Sequence, residues 1–291
     1  MNFQERLETK RFTVTAEINP PKGTDLAEGR ADVESLKGRV DALAVTDGKS
    51  SVMTMSALAY GTVLKSYGMD VILFMSCRDQ NRLALQANLL GAAALEIRNV
   101  VVVTGDYASM GDHPQTKPVF DLDSIQLLGV IRGLEEGHDM GGNPLRGGMS
   151  FFAGATVSPI PDSEASLELQ WVKMEKKIAA GARFFLTQPV FDLKAFERFM
   201  KRAAGLGVPV LASVLPLKSA SMARFINKNL PGIFVPEALI EEIGQAPDRG
   251  KASIAMSGRI LRELSPLCQG VHLVASGWEK KIPAILEAAK A

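Results

Sequence analysis

The sequence predicts a single (β/α)8 barrel spanning residues 1–291, on three observations. Eight short β-rich apolar runs alternate with longer stretches of helical periodicity. The runs are continuously apolar, as expected for parallel strands covered on both faces. No linker rich in Pro, Ser or charge divides the chain.

In order, the runs are 12–18, 42–46, 71–77, 100–104, 151–157, 183–188, 209–215 and 271–276. Helical spacing follows them at 27–38, 52–67, 79–95, 123–136, 163–180 and 192–204, then in several segments over 219–266, and at 278–289. The Gly-rich stretch 141–148 leads into a strand, not from a strand into a helix, so it reads as a bottom-face loop and not as a phosphate cradle.

Net charge is +1, from 33 basic and 32 acidic residues, which argues against a general nucleic-acid surface. Two isolated cysteines, Cys77 and Cys268, form no metal spacing and point to a reducing, cytoplasmic setting. His113, His138 and His272 have no partners at ligand spacing and read as non-ligands. No apolar run reaches the roughly 20 residues that span a bilayer.

In a barrel of this kind, polar residues at strand carboxyl ends are the prime candidates for chemistry. Glu17 interrupts an apolar run, and a carboxyl group in such a setting can act as a general acid near neutral pH. Asp106 follows Thr104-Gly105 after four valines, where the glycine permits close backbone approach of a ligand. Gln188 offers a donor and an acceptor, suited to the edge of a heterocycle. Lys177, on a helix, reads by itself as a solvated surface charge.

These strand ends resemble the methylenetetrahydrofolate reductase family. The resemblance runs through Thr15-Ala-Glu17-Ile-Asn-Pro-Pro21, Ala44-Val-Thr46-Asp-Gly48, Arg78-Asp79-Gln-Asn-Arg82, Thr104-Gly-Asp106, Gly111-Asp-His-Pro114, Val119-Phe-Asp-Leu-Asp-Ser124, Ala180-Gly-Ala182 and Thr187-Gln188. It implies a barrel holding non-covalent FAD that reduces 5,10-methylenetetrahydrofolate to 5-methyltetrahydrofolate, a step of one-carbon metabolism leading to methionine biosynthesis. By matched position, Glu17 resembles the general acid that opens the five-membered ring, and Asp106 the catalytic carboxylate beside pterin and flavin. Gln188 resembles a folate contact. Thr46, Thr104, Gly105, Asp106, Phe120, Asp121, Ala155 and Val157 match flavin-contacting positions, and Lys177 matches a basic residue near the flavin diphosphate.

The resemblance leaves two electron donors open. Val157-Ser-Pro-Ile-Pro161 lacks the aromatic residue and histidine of many NAD(P)H-dependent members, while Gly277 to Pro283 resembles reductases working beside an iron–sulfur partner subunit. A homo- or hetero-oligomer is compatible with either. The competing readings are a pterin-binding methyltransferase barrel without flavin and a flavin-holding subunit active only in a larger complex.

Overall fold

The computed structural model describes residues 1–161 and 163–290. The strands β1 (Thr13–Ile18), β2 (Ala42–Val45), β3 (Val71–Ser76), β4 (Asn99–Val103), β5 (Phe152–Val157), β6 (Phe184–Pro189), β7 (Val210–Val214) and β8 (Gly270–Leu273) form a closed barrel in chain order. Each pairs in parallel with the next, and β1 closes on β8 with Thr15 opposite His272. The last run is shorter than the sequence suggests: 274–276 leave the ladder, and Ser276 has φ 50°.

The helices are α1 (Phe3–Glu8), α2 (Ala27–Leu36), α3 (Ala57–Ser66), α4 (Arg82–Ala94), α5 (Ser124–Glu135), α6 (Glu164–Ala179), α7 (Leu193–Ala203), α8 (Ala220–Asn229), α9 (Glu237–Gln245), α10 (Arg249–Leu264) and α11 (Ile282–Ala288). Their starts are chemically marked. Asn81, Asp123, Asp192, Ser219 and Asp248 each accept hydrogen bonds from first-turn amides, satisfying donors a helix leaves free. On α7, Phe196, Phe199, Met200 and Ala203 recur at helical spacing and form its buried face. None of the described helices is long and apolar enough to cross a membrane.

Side chains alternate across each strand, so the barrel has an inner and an outer core. The outer core lies between strands and helices. The inner one includes Ala42, Ala44, Ile72, Val101, Phe152, Phe184, Leu186 and Leu211. Gly154 is required there, because a Cβ on it would lie 2.4 Å from the Phe184 ring. The short helix α1, absent from the sequence reading, closes the amino-terminal end. Phe3 is fully buried, with its ring edge-on to Phe152 and Phe184 at 5.9 and 5.1 Å. The Asp70 carboxylate accepts from Phe3 N at 2.7 Å and anchors the plug. The Gly-rich loop connects α5 to β5 on this same end, as expected, and carries a His138–Pro144 bridge.

Candidate functional site

The plug leaves the carboxyl ends of the strands as the open face, and two clefts lie there. One, of about 360 Å³, sits over the ends of β4, β5 and β6. Thr104, Ser124, Thr156, Val157, Lys177 and Gln188 line it, with Lys173 beside Lys177. The other, of about 320 Å³, lies over β2 and β3 between Asp47, Met53, Arg78 and His113.

Lys177 departs from the expectation for a helix lysine. It is half-buried, its Nζ donates to the Thr156 carbonyl at 2.7 Å, and burial, with Lys173 adding repulsion, lowers its pKa to about 8. Among the described residues it has no carboxylate within ion-pair distance; Asp123, which lines the same cleft, opposes the shift from farther away, so an anion in the cleft would meet a cation only partly compensated.

On β1, Glu17 is inward-facing and 6% exposed. It forms an ion pair with Lys49 through Oε1. Its Oε2 lies 4.0 Å from His272 Nε2, which is buried without a hydrogen-bond partner. His272 Nδ1 sits 2.9 Å from Thr15 Oγ1. Burial, assisted by the Lys49 charge, drives the His272 pKa down to about 3, so the imidazole is neutral at ordinary pH.

Lys49 lies in a tight turn in which Gly48, Ser50 and Ser51 all have left-handed backbones, with φ of 56, 54 and 60°. Two of these are non-glycine residues held in a costly region. Arg78, 4% exposed, fixes the turn by donating to Gly48 O at 3.1 Å and Ser51 Oγ at 2.9 Å. Asp106, itself exposed, accepts from Ser50 N at 3.2 Å. Glu17 and Asp106 are thus tied to one turn, on residues 49 and 50.

The other expected positions divide. Thr46 is buried and donates to Asn19 Oδ1 at 2.9 Å. Gly105, at φ 102°, faces Ser76 and Arg78 so closely that a Cβ would lie 2.5 Å from Ser76 Oγ. Ala155 is wholly buried in the outer core, outside the cleft lining. Phe120 is half-buried with φ 43°. Asp121 is engaged by Arg82, which donates from Nε at 2.9 Å and Nη2 at 2.8 Å and pulls its pKa to about 2. That pair ties the loop before α5 to the start of α4. Lys49, Lys173 and His272 carried no functional expectation; the position of Lys49, just past Thr46-Asp-Gly48, was the available signal.

The residues of the larger cleft suit a flavin dinucleotide. Hydroxyls of Thr104, Ser124 and Thr156 line it together with Lys177. Lysines and hydroxyls are the donor set a diphosphate and a polyol chain require. Among the described residues there is no cluster of three or more His, Cys, Asp or Glu able to hold a metal.

Comparison with known proteins gives concordant findings. The family model described as methylenetetrahydrofolate reductase matches residues 2–290. A Caenorhabditis elegans protein described as a probable methylenetetrahydrofolate reductase (NADPH) is 24% identical over 194 residues, 66% of this chain; the match spans only 27% of that relative's length. A 5,10-methylenetetrahydrofolate reductase of Pectobacterium carotovorum is 23% identical, covering 84% of this chain and 80% of the relative. Among solved structures, a Clostridium thermocellum protein described as binding two copies of 5-methyl-5,6,7,8-tetrahydrofolic acid superimposes with a TM-score of 0.70. That alignment has 18% identity and covers 100% of this chain and 98% of the other.

Proposed function

The chain belongs to the methylenetetrahydrofolate reductase family, and from that premise we propose that it reduces 5,10-methylenetetrahydrofolate to 5-methyltetrahydrofolate with FAD held in the cleft over β4, β5 and β6. The observation that carries this reading is the desolvated Lys177, lacking a carboxylate partner, in a cleft on the same open face as Glu17, Asp106 and Gln188.

Bound FAD would supply the hydride received by the methylene carbon. The chain's own residues do the rest. Glu17 gives a proton to a ring nitrogen as the carbon–nitrogen bond opens. Asp106 accepts hydrogen bonds from the N–H edge of the pterin, and Gln188 supplies one donor and one acceptor to the same heterocycle. Lys177 and Lys173 balance the diphosphate charge, and Thr104, Ser124 and Thr156 replace water around the cofactor.

The turn at Ser158 is fixed by a hydrogen bond from its Oγ to Gly232 O at 3.0 Å, and it lacks the aromatic residue found in many members that oxidise NAD(P)H directly. This favours electron delivery by an iron–sulfur partner subunit.

The test is an anaerobic absorbance titration of purified protein with NADH, then NADPH, then methylenetetrahydrofolate. A flavin band that stays oxidised with either nucleotide, bleaches with an artificial donor and returns with folate supports the reading. Bleaching by nucleotide makes the chain self-sufficient. Protein that stays colourless after FAD is added sinks the flavin reading. Glu17→Gln should keep the flavin band and retain only a small residual rate of folate reduction.

A further inference from the structure

Glu17 cannot act as a proton donor without leaving a charge behind. It is almost fully enclosed, and a carboxylate in such a place needs a cation or it becomes an uncompensated charge. His272 cannot provide one, since burial keeps it neutral. Among the described residues, the cation paired with Glu17 is Lys49.

The local backbone is shaped for that pairing. A lysine ordinarily sends its flexible stem into solvent. Here the preceding and following residues all take left-handed conformations, a strain that persists only where the surroundings over-determine it. Arg78 fixes Gly48 and Ser51, the Asp106 carboxylate receives Ser50 N–H, and Ser51 Oγ donates to Tyr107 O at 2.9 Å. Gly111 packs so tightly on Ser51 O that no side chain fits there. Each contact constrains the direction in which residue 49 leaves the turn.

We propose that Lys49 is a positioning residue for Glu17: it holds Oε1 as the accepting oxygen, leaves Oε2 to carry the transferable proton, and stabilises the carboxylate that remains after transfer. The inference rests on Glu17 being the proton donor. In the step, the Oε2–H bond of Glu17 breaks and an N–H bond forms on the folate. The negative charge left on Glu17 lies beside the Lys49 ammonium, and solvent returns the proton once product has left. A charge that develops beside a fixed cation in a water-poor site is where such a group lowers a barrier.

The test uses the FAD-loaded chain reduced by an artificial donor, with methylenetetrahydrofolate as acceptor. Lys49→Met should lower kcat for folate reduction by about tenfold with KM within about twofold, a loss near 1.4 kcal/mol of barrier. Lys49→Arg should regain most of the rate, and the rate of flavin reduction should not change in either variant. In a Glu17→Gln background, Lys49→Met should cause no further loss, because the partner it serves is gone. Full turnover by Lys49→Met, or an undiminished further loss in the Glu17→Gln background, overturns the proposal. A wild-type chain that reduces no methylenetetrahydrofolate overturns the functional reading instead. Wild type, Lys49→Met, Glu17→Gln and the double variant then decide the positioning by urea unfolding: non-additive midpoints keep Lys49 as the group that holds Glu17, and additive ones reject it.

Discussion

Lys177 Nζ and the Thr156 carbonyl oxygen are 2.7 Å apart, joining the end of β5 to a helix that sequence alone would leave in solvent. The lysine carries a pKa near 8 because burial disfavours its charge. An anionic ligand reverses that preference, so FAD binding at pH 8.5–9 should take up a fraction of a proton. Calorimetry in buffers of different ionisation enthalpy would detect it. Above pH 8 the free protein increasingly holds the amine neutral, and affinity should fall as pH rises. Lys177→Met should weaken FAD binding about tenfold at pH 7 and abolish the proton uptake.

His272 has its folded pKa near 3, below the ordinary 6.5. The folded state thus excludes a proton that the unfolded chain accepts. Its stabilising contribution is full above pH 6.5 and is lost as pH falls from there toward 3. Relative to wild type, His272→Gln should flatten the decline of unfolding free energy between pH 6 and 4 by up to about 1.4 kcal/mol per pH unit, measured by urea titration.

Asp32, on α2, shows the opposite sign. Burial, with Glu279 and Glu28 nearby, raises its pKa to about 6, Lys280 opposing, and its Oδ1 has no hydrogen-bond partner. The folded state favours the protonated acid, so stability is lost as pH rises from about 4 through 6. Asp32→Asn should raise stability on the order of 1 kcal/mol at pH 8 and leave it nearly unchanged at pH 4. Melting temperatures at the two pH values check it.

Phe3 fills the barrel's amino-terminal end against Phe152 and Phe184. Phe3→Ala would remove a fully buried ring packed against Phe152 and Phe184 and leave a cavity in its place. The expected cost is about 3–5 kcal/mol of unfolding free energy, with the urea midpoint shifted and the m-value unchanged.

Repetition made the barrel readable: eight apolar runs with helical stretches between them leave few alternatives. The plug escaped because α1 is six residues long and contributes two buried apolar side chains, too few for a period to emerge. Within strands, the continuous apolar runs hide which face is inward, so the sequence did not show that His272 neighbours Glu17. The rim was partly legible, since Glu17, Asp106 and Gln188 stand where the runs end. Lys49 was not, because its aim depends on contacts made by Gly48, Ser50 and Ser51 around a left-handed turn with residues distant in sequence. Asp121 illustrates the converse: a position matched to cofactor contact is paired with Arg82, the first residue of α4.

The aromatic seal at Phe3 also separates folding from recognition. Between that seal and the open face the interior is filled by packed side chains, so every ligand meets the chain at the carboxyl-end rim. Loosening the sealed end should therefore cost stability and leave FAD affinity unchanged.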